Sequence, residues 1–316
     1  MILLAPMEGV VDAVMRDVLT SIGGYDLATT EFIRVTRLLN PEHVFYRYCP
    51  ELHNGGRTTS GTPVFVQLLG GDPAVMAENA ARAAELGAPG IDLNFGCPAK
   101  TVNRHDGGSV ILQWPERVYK ITTAVRQAVN AQTPVTVKIR LGFENSDLSL
   151  DNALAAQSAG AARLTVHART KIDGYKPPAY WEKITPIREK LKIPVVANGE
   201  IWNREDATRC QQITGCDLIM VGRGAIANPF LGLMLKSSEL QASWHNVTPV
   251  LSRFFHENVR TGGNACAISR GKQWLRLLSR SYPQAKALFE RIKCLDTFDH
   301  FQKELLNDAK IALPAH

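Results

Sequence analysis

Short runs of apolar and β-branched residues recur along the chain, separated by stretches whose apolar positions fall at helical spacing. Near-continuous apolar runs are what parallel strands covered on both faces require, and the helical stretches between them serve as crossovers. Eight strands are predicted in order: Ile2 to Ala5, Asp26 to Phe32, Pro63 to Leu69, Gly90 to Phe95, Pro134 to Leu141, Arg163 to Ala168, Pro194 to Asn198 and Leu218 to Gly222. Pro73 to Leu86, Glu116 to Asn130 and Asn203 to Thr214 read as helices between them, the first two opening at a proline suited to a first helical turn. The pattern predicts an α/β fold, a closed (β/α)8 TIM barrel. Residues 35 to 62 hold more Pro, Gly and Arg than a simple crossover needs, which predicts an excursion at the barrel top.

After Pro229 the strand pattern stops, and Val250 to Val259, Cys266 to Ser281, Gln284 to Leu295 and Phe298 to Leu306 read as helices. The chain of 316 residues exceeds the roughly 250 of a lone barrel. A catalytic barrel over 1–240 followed by a smaller all-helical domain over 241–316 is expected, with the boundary in the polar stretch Ser238 to Asn246.

Composition changes this picture little: 45% hydrophobic and 21% charged residues suit an ordinary folded protein and argue against disorder. No apolar run reaches the roughly 18 residues of a membrane span, and Met1-Ile2-Leu3-Leu4-Ala5-Pro6 carries no export pattern, so a cytoplasmic protein is expected. The six cysteines show no CxxC spacing, which points to reduced thiols and indicates neither a metal site nor a disulfide framework. Charge is more telling. Residues 241 to 316 hold eleven Lys/Arg against six Asp/Glu, a surplus of five within a net charge of six for the chain. From Arg260 to Lys293 the excess sharpens, with Arg260, Arg270, Lys272, Arg276, Arg280, Lys286, Arg291 and Lys293 against Glu290 alone. This stretch reads either as a polyanion-binding surface or as a solvated basic helix face.

In a barrel of this kind the chemistry sits where strands end. Those ends are polar: Pro6-Met7-Glu8, Gln67, Asn94-Phe95-Gly96-Cys97-Pro98, Lys138 with Arg140, His167 with Arg169, Asn198-Gly199-Glu200 and Gly222-Arg223-Gly224. The last two close the seventh and eighth expected strands, where backbone N–H groups commonly cradle a phosphate; Arg223 adds charge. Lys138 interrupts an apolar strand and needs a partner there. A Schiff-base nucleophile, a buried ion pair and a cation beside a flavin ring are the competing readings, and Gln67 and His167 on neighbouring strand ends favour the flavin. Cys97, between a glycine and a proline in a polar loop near Lys100, is in an unusual setting for an inert core cysteine; a mobile loop could carry it over the ring.

With these residues assembled, the chain resembles the tRNA-dihydrouridine synthases from residue 2 to about 310. The match rests on Ala5-Pro6-Met7-Glu8-Gly9-Val10, Thr30-Glu31-Phe32, Val66-Gln67-Leu68, Asp92-Leu93-Asn94 with Gly96-Cys97-Pro98, Lys138-Ile139-Arg140, His167 with Arg169-Thr170, Asn198-Gly199-Glu200 and Gly222-Arg223-Gly224. The resemblance implies FMN held by Pro6, Met7, Glu8, Gln67, Lys138, His167, Asn198, Gly199, Glu200, Gly222 and Arg223. It implies NADPH as reductant, tRNA as substrate with its uridine flipped from the stack, and Cys97 as the general acid that protonates C5 after hydride reaches C6. Arg270-Gly271-Lys272-Gln273-Trp274 is similar to the subgroup acting on uridine sixteen of the D-loop. Arg34, Asn94, Tyr175, Arg270, Lys272 and Lys293 would then contact the tRNA, Asn94 bonding the uracil, and no obligate protein partner is implied, so a monomer is expected. The chain departs from relatives at Asn103-Arg104-His105-Asp106-Gly107-Gly108-Ser109 and at Lys176-Pro177-Pro178-Ala179. Rival readings are an FMN barrel acting on a free pyrimidine, like dihydroorotate dehydrogenase, a Schiff-base aldolase built on Lys138, and a non-catalytic RNA-binding protein.

Overall fold

The computed structural model describes residues 1–237 and 239–310. Ser238, in the expected boundary stretch, and residues 311–316, at the end of the expected helical domain, lie outside the described residues. Among the described residues nine parallel strands run β1 (Ile2–Leu4), β2 (Leu27–Thr29), β3 (Ile33–Arg34), β4 (Val64–Leu69), β5 (Ile91–Phe95), β6 (Val135–Gly142), β7 (Arg163–Thr170), β8 (Val195–Asn198) and β9 (Leu218–Val221). The order β2-β1-β9-β8-β7-β6-β5-β4 closes through a β2–β4 pairing, so eight of them form the expected barrel.

The second expected strand, Asp26 to Phe32, is strand only over Leu27–Thr29, and β3 begins just past its expected end. Thr29 pairs with Phe65 and Ile33 with Leu68, so four steps on one chain match three on the other. Thr30 causes the break: its Oγ1 accepts the Gln67 N–H at 2.9 Å, taking a donor that a ladder carbonyl would otherwise receive. The interruption releases Glu31 and Phe32 to the barrel mouth, where Gly9 N–H donates to Glu31 Oε1.

Alternation along each strand sorts the core into two. Ile91, Leu93 and Phe95 of β5, Val135, Val137 and Ile139 of β6, and Leu164, Val166 and Ala168 of β7 point outward into the main core shared with the helices. Inside the barrel, Leu3, Ala5, Leu27, Phe65, Val196 and Met220 form a small apolar plug. The intervening inward positions are polar on β4 to β8: Gln67, Asp92, Asn94, Thr136, Lys138, Arg140, His167, Arg169 and Asn198.

The helices Pro73–Glu85, Pro115–Ala128 and Arg204–Thr214 lie where expected. Asp72 and Asn203 cap the first and third by accepting helix amides. The 35–62 excursion contains a helix, Glu42–Tyr48, and is pinned by fully buried Arg16, which pairs with Glu51 at 2.8 Å and donates to the carbonyls of Tyr48 and Val11.

Beyond the barrel the described residues are helical: Trp244–Leu278, Pro283–Ile292 and Phe298–Lys310. Gly263, at φ 77° and ψ 179°, breaks the first of these in two, close to the gap expected between Val259 and Cys266. This region docks on the barrel through Trp274, whose Nε1 donates to Ile226 O at 3.0 Å, and through Arg253, which meets Asp17 at 2.6 Å.

Candidate active site

The strand ends converge on one cavity of about 470 Å³. Pro6, Met7, Glu8, Gln67, Asn94, Cys97, Lys138, His167, Tyr175, Asn198, Gly199, Glu200, Gly222 and Arg223 line it, with Leu277 reaching in from the helical region. All the residues expected to hold the cofactor, together with the expected acid, are therefore brought together. Of the six residues expected at tRNA, Asn94 and Tyr175 line the cavity, whereas Arg34, Arg270, Lys272 and Lys293 lie outside it.

Strand alternation sets the pairs. Lys138 and Arg140 are two apart on β6, His167 and Arg169 two apart on β7, so both pairs face inward. Lys138 Nζ donates to Asn198 Oδ1 at 3.3 Å. Burial, reinforced by Arg140, lowers its pKa to about 8, while the Asp92 charge opposes the shift. Burial first, then the arginines and Lys138, hold the His167 pKa well below its ordinary value, so this ring is neutral at physiological pH. A neutral imidazole and a cationic lysine beside one cavity suit a planar, acceptor-rich ring.

Cys97 is partly buried, and burial raises its thiol pKa, with smaller opposing effects from the Ala99 amide and Arg140. The thiol is therefore the protonated species at neutral pH, the form an acid requires. Its loop is tied by hydrogen bonds on both sides. Cys97 N–H and Gly96 N–H both donate to Asn94 Oδ1 at 2.9 Å. The Cys97 carbonyl accepts from Ser109 N–H, Ser109 Oγ and Asn103 Nδ2 at 3.0, 2.9 and 3.0 Å. Gly108 packs so closely that a Cβ there would lie 2.7 Å from the same carbonyl. The unusual 103–109 segment thus forms the bed of the Cys97 loop.

Arg140, fully buried in the strand, was legible only as part of a motif. It donates to Gly96 O at 2.8 Å, Thr170 O at 2.9 Å and Gly174 O at 2.8 Å, joining the Cys97 loop to the loop that carries Tyr175. Arg169 holds the other side of that loop, donating to Lys176 O at 2.7 Å and Pro178 O at 3.1 Å. Tyr175 itself is exposed, with Arg140 and Arg223 lying 5.1 and 5.4 Å from its ring centre.

At the ends of β8 and β9, Gly199 sits at φ 126° with His167 so close that a Cβ would approach its ring to 3.1 Å. The Glu200 carboxylate accepts from Arg223 and Trp202 and pairs with Arg169 at 2.9 Å. Its side chain therefore orients Arg223. Trp202, which the sequence did not single out, lies between Arg223 at 5.1 Å and Arg280 of the helical region at 3.4 Å. Across the cavity, burial and the neighbouring Glu31 raise the Glu8 pKa to about 7.

The basic C-terminal residues divide into two kinds. Arg270 is turned inward: it donates to Gly9 O and Val10 O at 2.8 Å and pairs with Asp12 at 2.9 Å, so in this structure it fastens the helical region to the barrel. Lys272 is half-buried, while Arg276 and Lys286 are exposed. Lys293 is exposed beside Glu290, which raises its pKa. Arg34 approaches Thr101 O at 3.5 Å, next to the Cys97 loop.

Comparison with known proteins places this geometry in a family. Residues 3–273 match the family model described as Dihydrouridine synthase. A tRNA-dihydrouridine(16) synthase of Shewanella oneidensis is 54% identical over 304 residues, covering 96% of each chain. Proteins of the same name from Pseudomonas syringae and Vibrio cholerae are 51% and 49% identical, covering 92% and 99% of this chain and 94% and 99% of their own. Among solved structures, a Rhizobium histamine dehydrogenase aligns with a TM-score of 0.56 at 15% identity, over 86% of this chain and 48% of that one. A Zymomonas mobilis NCR variant aligns at 0.54 and 17% identity, over 77% and 88%; both likenesses extend to the fold alone. On this evidence the chain, an oxidoreductase by its lineage, belongs to the dihydrouridine synthase family.

Proposed function

We propose that this protein reduces uridine to 5,6-dihydrouridine in tRNA, at uridine sixteen of the D-loop, with bound FMN as the hydride carrier and NADPH as the reductant. The observation that carries the reading is the single cavity uniting Lys138, Gln67, His167 and Arg223 with Cys97. Its size suits a bound cofactor. The donor set fits a flavin mononucleotide: Lys138 would supply positive charge, Gln67 and His167 hydrogen-bonding groups on neighbouring strands, and Arg223 with the Gly222 backbone would suit a phosphate. A Cβ at Gly222 would come within 3.3 Å of Met7 Sδ, so glycine lets this strand end pack closely on Met7. Pro6, Met7, Glu8, Asn198, Gly199 and Glu200 complete the cradle.

When bound, a flavin supplies hydride to uracil C6. Cys97 then donates the proton that C5 needs, from a thiol that burial keeps protonated. Asn94 has one Nδ2–H left after its bonds to Gln67, Gly96 and Cys97, so it offers the uracil a donor. Tyr175 at the rim gives the flipped base an aromatic surface, and unstacking that base costs a few kcal/mol which contacts elsewhere must offset. Arg34, Lys272 and Lys293 are candidates for those contacts. Arg270 would act on tRNA largely through the docking it provides. We assign the barrel to 1–240 and the tRNA-gripping domain to 241–316, and place the protein in the cytoplasm as a monomer. No described helix is long and apolar enough to cross a membrane. A free-pyrimidine reductase is disfavoured by the family membership.

Mapping dihydrouridine in tRNA from cells lacking the protein tests this reading. Position sixteen should become unmodified and be restored by the wild-type chain; an unchanged level at that position overturns it.

A further inference from the structure

A buried chain of side chains runs beneath the cavity, and its first member carries no role in the reading above. Asp92 is 4% exposed on β5. Thr136 Oγ1 lies 2.5 Å from its Oδ1, and Gln67 Nε2 donates to its Oδ2 at 2.7 Å. Gln67 Oε1 accepts from Asn94 Nδ2 at 2.8 Å, and Asn94 Oδ1 accepts the amides of Gly96 and Cys97. An amide side chain can be turned either way round, and the two orientations exchange donor for acceptor. Here each end of the chain admits one orientation. Backbone amides only donate, and a carboxylate only accepts.

We propose that Asp92 is a positioning residue that locks the polarity of the Gln67–Asn94 pair, so that Asn94 offers the cavity its free Nδ2–H and holds the Cys97 loop. The inference deepens the proposed function and rests on it for the identity of what the Asn94 N–H meets. Polarity is independent of the charge on Asp92. A proton on Oδ1 would be donated to Thr136 Oγ1, whose own hydrogen can turn to Ile91 O, 3.4 Å away, leaving Oδ2 still accepting from Gln67. Without that acceptor, Gln67 Nε2 is left unpaired on a side chain with no exposed surface and must turn to find another partner. Its Oε1 then leaves Asn94, and the hold on Gly96 and Cys97 slackens. A donor at Asn94 matches a carbonyl oxygen of a uracil and mismatches an exocyclic amine such as that of cytosine.

The test compares Asp92→Leu, which removes the acceptor at similar volume, with Asp92→Asn, which keeps one for Gln67. In Asp92→Leu, kcat for uridine reduction should fall about 100-fold with KM for tRNA within about two-fold, as expected of a misplaced rather than missing group. Alkylation of Cys97 by iodoacetamide, followed on flavin-free protein by peptide mass spectrometry, should quicken several-fold. Asp92→Asn should stay within about five-fold of the wild type on both measures. If Asp92→Leu does not fold, Asp92→Ala replaces it, and added formate should restore the slow alkylation. Unchanged alkylation and kcat in Asp92→Leu, an equal loss in both variants, or no rescue by formate overturns the proposal. Alkylation needs neither cofactor nor tRNA, so it reports on the loop even if the proposed reaction is wrong.

Discussion

Cys97 and Lys138 carry the clearest consequences of burial at single residues. Replacing Cys97 with Ala should cut dihydrouridine formation by about 10²–10⁴-fold, the usual worth of a general acid, while oxidation of NADPH continues. Parallel assays by mass spectrometry of tRNA and by absorbance separate the two steps; equal loss in both would remove Cys97 from its assigned role. Lys138 titrates at about 8, so uridine reduction should decline as pH rises through that value, and the decline should vanish in Lys138→Arg. The same shift has a stability sign. The folded chain holds this proton less tightly than the unfolded chain, where the group titrates near 10.5, so folding is penalised below pH 8 and the penalty fades towards 10.5. Lys138→Met should therefore raise stability at pH 7 by on the order of 1–3 kcal/mol while abolishing activity, as measured by urea unfolding.

Within single elements, a few bonds decide how loops meet the strands. Arg16 and Glu51, 0% and 7% exposed at their side chains, tie the 35–62 excursion to the helix Ala13–Ile22. Glu51→Ala leaves a buried guanidinium without its partner and should cost about 3–5 kcal/mol, seen as a lower urea midpoint with an unchanged slope. Thr30 shows how one hydroxyl can end a strand. Its bond to the Gln67 amide ends β2 and starts a bulge, which aims Glu31 at Gly9 in place of continuing an apolar run. In the same way the 103–109 segment, polar in sequence, becomes a bed for the Cys97 loop through Asn103, Gly108 and Ser109.

Across the whole molecule, barrel and helical region share one rim, with Leu277 in the cavity wall and Arg280 stacked on Trp202. Arg270 and Lys272 are two residues apart and should behave differently. Arg270→Ala strands the Val10 carbonyl and removes the ion pair with Asp12, while Gly9 O keeps its bond from Gln273; it should lower Tm, costing on the order of 1–3 kcal/mol, with tRNA binding lost as a consequence. Lys272→Ala should leave Tm unchanged, weaken tRNA binding and reduce the slope of log affinity against log salt by about one. Filter binding over a salt series, beside thermal melts, tells the two apart; a matched drop in Tm for both would place Lys272 in the docking surface as well.

The primary sequence was sufficient to determine the barrel, its strands to within a few residues, the helical tail and the polar character of the strand ends, because apolar periodicity and strand-end polarity are local properties of the chain. Cys97, Lys138, His167 and Arg223 could be named from such local context. Tertiary structure decided what those residues touch. Asp92 and Thr136 lie inside β5 and β6, where an apolar side chain would serve as well by pattern, and only the pairing of β4, β5 and β6 sets Asp92 between Gln67 and Thr136. Arg270 belongs to a basic stretch by sequence, yet packing turns it inward to the Gly9 and Val10 carbonyls. Trp202 gains its place only when Arg223 and Arg280 arrive from distant segments. Hydrogen-bond direction and the burial of charge depend on neighbours far along the chain, and no periodicity encodes which neighbours those are.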